Sequence, residues 1–201
     1  MTVPCRVCNA DKKRRVARLL SAANLPEKTA NIDVNPHEPT KRFIEEFSPT
    51  KKSWLLFVGK PGSGKTTEAS WTARKLIREK QIQARFFNAF DLTRQLVASK
   101  RRNDDHGEIL RDLNDLDLVV LDDLFKIMPS PKSYDYADFV AATLEIVWTR
   151  YDAGKPFILT TQASFDKIAK LDAALAGRIA ELSRDSAVIF DRESTNWRIE
   201  Q

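Results

Sequence analysis

Residues 59–67 read Gly59-Lys60-Pro61-Gly62-Ser63-Gly64-Lys65-Thr66-Thr67. They fit the pattern G-x-x-x-x-G-K-[ST] at every fixed position. Immediately upstream lies Trp54-Leu55-Leu56-Phe57-Val58, a bulky apolar run of strand length. Downstream, Ala69, Ala73, Leu76 and Ile77 recur at helical spacing and predict a helix ending near Lys80. Strand, glycine-rich turn and helix follow one another without a gap. In that setting the glycines let the backbone wrap an anion with its N–H groups, and the new helix points its positive dipole end at the same place. The ligand that suits such a cradle is the phosphate chain of a nucleoside triphosphate. Lys65 then contacts the β- and γ-phosphates, Thr66 offers its hydroxyl to Mg²⁺, and Thr67 adds a contact further back along the chain.

A second signal supports the first. Residues 116–121, Leu-Asp-Leu-Val-Val-Leu, predict a buried strand that runs straight into Asp122-Asp123. A buried parallel strand delivers such carboxylates at the carboxyl edge of its sheet, where the phosphate loop also lies. Asp122 is placed to hold Mg²⁺, usually through water. Asp123 stands where a general base orients attacking water. Further strands are expected at residues 84–90, 157–161 and 187–190. Helices are expected from a cap at Asp91 through Ala98, at residues 108–113, along Val140, Leu144, Val147 and Tyr151, and along Ile168 to Leu182. Between them, residues 100–107 read as a polar loop.

At 201 residues the chain fits one ordinary domain and a short appendage. Residues 1–53 read as a basic N-terminal arm and linker, and residues 54–201 as the core domain. Within the first 18 residues Arg6, Lys12, Lys13, Arg14, Arg15 and Arg18 face Asp11 alone, so the arm holds the whole net charge of +5. It is either a contact for nucleic acid or an acidic partner, or a solvated helix over residues 10–23. Four prolines between residues 24 and 53 mark a connection, with one short helix at 40–47. Cys5 and Cys8 form a C-x-x-C, the spacing that presents two thiolates to Zn²⁺. With only His37 and His106 as further candidates, the pair stays open between half a zinc site, a redox pair and free thiols. The apolar runs are far shorter than the roughly 20 residues that span a bilayer. No secretory signal opens the chain, and a cytoplasmic protein is expected.

Taken in order, the phosphate loop, Val119-Val120-Leu121-Asp122-Asp123, the strand ending Thr160-Thr161-Gln162, and Ala176-Gly177-Arg178-Ile179-Ala180-Glu181-Leu182 resemble an AAA+ ATPase. More narrowly, they resemble the helicase-loader branch, the DnaC and DnaI proteins and phage relatives, together with the IstB transposition helper. The resemblance covers roughly residues 54–200. It implies an α/β P-loop AAA+ core, a parallel sheet flanked by helices with no full helical lid domain, and ATP hydrolysis with Mg²⁺. Gln162 falls at the sensor-one position, with Thr161 as a substitute, and Arg178 at the arginine finger that reaches a neighbour's ATP. Arg184 and Arg198 are candidates for a second sensor. Asp123 departs from the glutamate usual in AAA+ proteins and leaves the carboxylate one methylene short. The resemblance further implies a replicative DNA helicase and single-stranded DNA as partners, and a homo-oligomer formed on ATP or DNA. Alternatives are the transposition helper, a P-loop small-molecule kinase, and a non-hydrolysing, ATP-gated DNA-binding module.

Overall fold

The apolar runs become Trp54–Gly59 (β1), Ala84–Asn88 (β2), Leu118–Leu124 (β3), Phe157–Thr161 (β4) and Ala187–Phe190 (β5). All pairings are parallel, in the order β2-β3-β4-β1-β5. The structure, a computed structural model, describes residues 6–126, 130, 132, 133 and 135–190, with side chains from residue 10. Parallel strands need crossovers, and helices supply them. These are Lys65–Lys80 (α3), Ala89–Arg102 (α4), His106–Asp115 (α5), Tyr136–Asp152 (α6), Phe165–Leu171 (α7) and Ala173–Leu182 (α8), while Arg6–Ala22 (α1) and Glu38–Glu46 (α2) precede β1.

Alternation along the strands divides the core in two. Leu55, Phe57, Leu118, Val120 and Ile158 meet Ala69, Ala73, Leu76 and Ile77 of α3. Trp54, Leu56, Val119, Leu121, Phe157 and Leu159 meet Leu92 and Leu96 of α4, Ile146 and Val147 of α6, and Leu175 and Ile179 of α8. Both faces are covered, so the strands read as continuous apolar runs rather than alternating ones. Each fully buried Leu, Ile, Val or Phe contributes about 1.5–3 kcal/mol relative to exposure.

Several boundaries differ from the sequence expectation, each for a local reason. The connection upstream of β1 packs on the sheet: Ala23, Phe43, Ile44 and Phe47 are buried in the same cluster as α3. Phe86 N donates to Ala23 O at 2.8 Å, and Arg74 donates to Thr29 O at 3.0 Å. Pro39 falls in the first turn of α2, where a missing N–H costs nothing, so the helix starts at Glu38. The cap of α4 is Asn88 rather than Asp91, its side chain accepting from Phe90 N and Asp91 N at 3.0 and 3.4 Å. Lys100, Arg101 and Arg102 are the last turn of α4 rather than a loop. Cations are favoured there by the helix dipole, and Asn103, at φ 55°, ends the helix in the left-handed region. The stretch 168–182 splits at Asp172, whose carboxylate accepts from Leu175 N at 2.9 Å and caps α8.

At the amino-terminal end of the sheet, Arg150 is fully buried. It donates to the carbonyls of Leu113, Leu116 and Pro156 at 2.5–2.9 Å. Burial pushes its guanidinium down to about 10. Three backbone acceptors thereby knot the turns that enter β3 and β4.

Candidate nucleotide site

The end of β1 and the start of α3 set the loop. Gly64 has φ 98°, which a side chain tolerates poorly. A Cβ at Gly59 would come within 2.7 Å of Phe190 Cβ at the end of β5. Only glycine lets the loop leave the sheet this close to its neighbour. Lys65 is 4% exposed, and its ammonium donates to Lys60 O at 2.5 Å and Ser63 Oγ at 3.4 Å. The lysine is thus folded back under its own loop, with residues Lys60, Pro61, Gly62, Ser63 and Gly64 arched over it.

Behind the loop, Asp122 lies two strands away from β1, with β4 between. Strands about 4.8 Å apart make that a gap of roughly 10 Å. Thr160 on β4 bridges it. Thr160 Oγ1 donates to Asp122 Oδ1 at 2.7 Å, and Thr66 Oγ1 donates to the same oxygen at 2.8 Å. Asp123 N donates to Thr160 Oγ1 at 2.9 Å. One β4 residue therefore serves two consecutive β3 residues, and the register confirms it: Leu121 pairs with Leu159 but Leu124 with Thr161. This is a β-bulge. In an unbroken strand the side chains of residues 122 and 123 would point to opposite faces. The bulge, with Asp123 at φ 60°, brings Asp122 onto Thr66 and Asp123 into the same concavity as the loop.

That concavity lies between the loop, including Gly62, Lys65, Thr66 and Thr67, and Asp123, Lys126 and Gln162. Gln162 Nε2 donates to Asp123 Oδ1 at 3.5 Å, a long contact, whereas Lys126 Nζ donates to Asp123 Oδ2 at 2.7 Å. Asp122 is 5% exposed. Burial pushes its carboxyl above the usual range and the neighbouring Asp123 charge adds to that, while hydrogen bonds from Thr160 and Thr66 oppose it. A divalent cation would offset that cost. Thr66 Oγ1 and Asp122 Oδ1 supply one hydroxyl and one carboxylate oxygen, a hard donor pair that leaves room for the waters and phosphate oxygens Mg²⁺ retains. The residues fit the ion. A larger cleft, about 1110 Å³ between α4, α5 and the start of α6, offers no comparable anion cradle.

Other expected residues lie elsewhere. Thr161 Oγ1 donates to Leu124 O, so it is committed to the backbone and is no substitute for Gln162. Arg178 donates to Glu181 Oε2 at 2.9 Å and stacks over Tyr151, 5.4 Å from the ring centroid. Tyr151 meets Trp54 edge-on at 6.2 Å, at the start of β1. Arg178 therefore stands at the opposite end of the sheet from its own phosphate loop. Arg184 is exposed two residues before Ser186, whose hydroxyl donates to Trp54 O, and so belongs to that far end too. Arg198 and Cys5 lie outside the described residues, as does the side chain of Cys8. Zinc finds no support: among the described residues no cluster of three or more His, Cys, Asp or Glu could hold a metal. His37 Nδ1 is engaged 2.7 Å from Glu68 Oε2, and His106 Nε2 2.9 Å from Glu145 Oε1. Among the described residues no helix is long and apolar enough to cross a membrane.

Two residues bonded to these carboxylates escape sequence reasoning. Thr160 reads as one more residue of a β-branched strand, since parallel register is not written in either strand. Lys126 lies past the carboxylates in a stretch without periodicity.

Comparison with known proteins agrees with the geometry. Solved structures of the DnaC helicase loader (TM-score 0.62, 24% identity, covering 86% of this chain and 97% of that one) and of DnaI (0.60, 20%, 88% and 98%) share the fold. So does the replication initiator DnaA bound to AMPPCP and single-stranded DNA (0.64, 18%, 84% and 51%). The sheet is that of a P-loop AAA+ core. In Bacillus subtilis (strain 168), the uncharacterized protein YqaM is 26% identical over 212 residues, and the phage-like element PBSX protein XkdC is 24% identical over 205. The matches take in 96% and 92% of this chain but span 66% and 74% of those proteins. The profile of the IstB-like ATP binding proteins matches residues 7–184. The chain belongs to the IstB-like ATP binding protein family.

Proposed function

We propose that the chain is an ATP-hydrolysing helicase loader that engages a replicative DNA helicase and single-stranded DNA during initiation of replication. The observation that carries the hydrolytic part of this reading is the bulge that turns Asp122 and Asp123 toward one phosphate loop. A phosphate loop alone suits a kinase; a loop facing two consecutive carboxylates and Gln162 suits water as acceptor. In that chemistry the backbone of residues 59–67 and Lys65 hold the phosphates. Thr66 and Asp122 would hold Mg²⁺, which would supply positive charge to the phosphoryl oxygens. Asp123 accepts a proton from water as its oxygen bonds to the γ-phosphorus, and the bond to the β–γ bridging oxygen breaks to leave ADP and phosphate. Gln162 orients the same water.

Arg178 faces away from this site, so its charge reaches a phosphoryl group only in a neighbouring subunit. That favours a homo-oligomer assembled on ATP or DNA. Contact with single-stranded DNA is supported by the cleft that holds Phe90 and Arg94, with Arg94 5.7 Å from the Phe90 ring. Aromatic faces beside arginine are what stacked bases use. The basic α1 is the contact proposed for the helicase.

The family itself favours a second reading, an ATPase helper of DNA transposition with the same chemistry and a transposase as partner. Affinity capture of the tagged chain with ATP present, followed by identification of what accompanies it, separates the two: the expected companion is a replicative helicase. Phosphate release should rise with single-stranded DNA and need no added acceptor. A transposase as the only companion overturns the loader reading, and turnover that requires a small-molecule acceptor overturns the ATPase reading.

A further inference from the structure

Asp123 and Phe125 both have positive φ, 60° and 59°. For non-glycine residues, and for phenylalanine above all, this is a sparsely populated conformation that the surroundings must hold. The two residues open a turn closed by Lys126 N donating to Asp123 O at 3.1 Å. Its effect is to fold Lys126 back over the end of β3. The ammonium reaches Asp123 Oδ2 at 2.7 Å and lines the concavity shared with Gly62, Lys65 and Thr66. Neither the phosphate-loop pattern nor the strand that ends in two aspartates includes such a lysine.

Resting on the ATP reading above, we propose that Lys126 is a further residue of the site. Its ammonium exchanges Asp123 for the terminal phosphate of a nucleoside triphosphate, and so frees that carboxylate to orient water.

Charge favours the exchange. The terminal phosphate of a triphosphate carries more negative charge than one carboxylate, and a diphosphate ends one phosphate short of it. Reach allows it: lysine presents a point charge on a flexible four-carbon stem, and this side chain is 35% exposed, held at its tip by Asp123. Asp123 is not left unguided, because Gln162 Nε2 already stands 3.5 Å from its other oxygen. A carboxylate one methylene short of glutamate thus has two partners with different tasks. Lys126 restrains it and Gln162 aims it.

The test reads binding rather than turnover. Affinities for a non-hydrolysable ATP analogue and for ADP are measured by calorimetry on the whole chain, with melting curves confirming that each variant folds. Lys126→Met should weaken the triphosphate analogue about tenfold, the loss of one charge-assisted contact, and leave ADP within about twofold. Lys126→Arg should keep most of the preference. Competition makes a second demand. Asp123→Asn should tighten the triphosphate analogue severalfold without changing ADP, and that gain should vanish in Lys126→Met/Asp123→Asn. If wild type binds both nucleotides and Lys126→Met keeps the same ratio, the inference fails alone. If wild type binds neither, the ATP reading fails and this inference with it.

Discussion

The two ends of the sheet are built on opposite principles. At the carboxyl-terminal end Lys65, Thr67, Asp122 and Thr160 are buried, and Asp122, Thr66 and Thr160 satisfy one another within 3 Å. At the amino-terminal end, about 17 Å away along the six residues of β1, Arg178 is 48% exposed and paired with an equally exposed Glu181. Lys52 reaches the face of Tyr151, whose ring also lies under Arg178. One end is organised to receive negative charge and the other to present positive charge. The anchors differ accordingly: the receiving end is fixed by side-chain hydrogen bonds, the presenting end by the backbone knot around Arg150. In the function proposed above, these ends are two halves of one catalytic pocket, and they cannot meet inside one copy.

The largest expected effect tests that separation directly. Arg178→Ala should slow hydrolysis about 10³-fold, the lower end of what an arginine finger supplies, with nucleotide affinity unchanged. Lys65→Ala should lose nucleotide binding and turnover together. A mixture of these two inactive variants should regain phosphate release, with the optimum near equal proportions, because a neighbour pair then contains one intact receiving end and one intact presenting end. Full-rate hydrolysis by Arg178→Ala alone would mean that this arginine serves no neighbouring phosphate site.

A smaller effect concerns the cost of the receiving end. The Asp122 carboxyl is raised above its ordinary value of 3.8, first by burial. A raised folded value means that the fold prefers the protonated form. The associated stability is complete below 3.8 and is lost as pH rises through the folded value, so at pH 7 the ionised group is a burden. Asp122→Asn should therefore raise Tm at pH 7. The gain should shrink toward pH 4 in melting curves, and the Mg²⁺-dependent part of ATP affinity should disappear. A Tm that falls at pH 7 would mean the ionised carboxylate is stabilising instead. The smallest effect is expected at the presenting end. Glu181→Ala removes an exposed ion pair, and Tm should move by no more than about 1 °C.

The contrast also explains what could be read from the sequence. The receiving end was legible where backbone chemistry restricts residue choice: the glycines around Lys65, and the apolar run that stops at two carboxylates. Its remaining members were not, because they arise from pairing. Thr160 matters through the register of β3 against β4, and Lys126 through a turn with two left-handed residues that carry no glycine to announce it. The start of α4 at Asn88 was hidden because Asp91, three residues on, is an equally good cap by type. The single helical stretch from Ile168 to Leu182 kept its apolar spacing across the break at Asp172, so periodicity could not see the break. At the presenting end only resemblance singled out Arg178, since an exposed arginine on a helix has no pattern of its own.

Glu68 lies one residue beyond the phosphate loop and is 3% exposed. Its carboxylate accepts from His37 N at 2.9 Å and from Thr40 Oγ1 at 2.6 Å, with His37 Nδ1 2.7 Å away. For anyone shortening the chain, that bond set defines where a knife can fall. A fragment beginning at Trp54 looks natural by motif, yet it would take His37 and Thr40 from this carboxylate and uncover the apolar surface of α3 and the sheet on which Phe43, Ile44 and Phe47 pack. A fragment that keeps this core intact has to start upstream of Ala23.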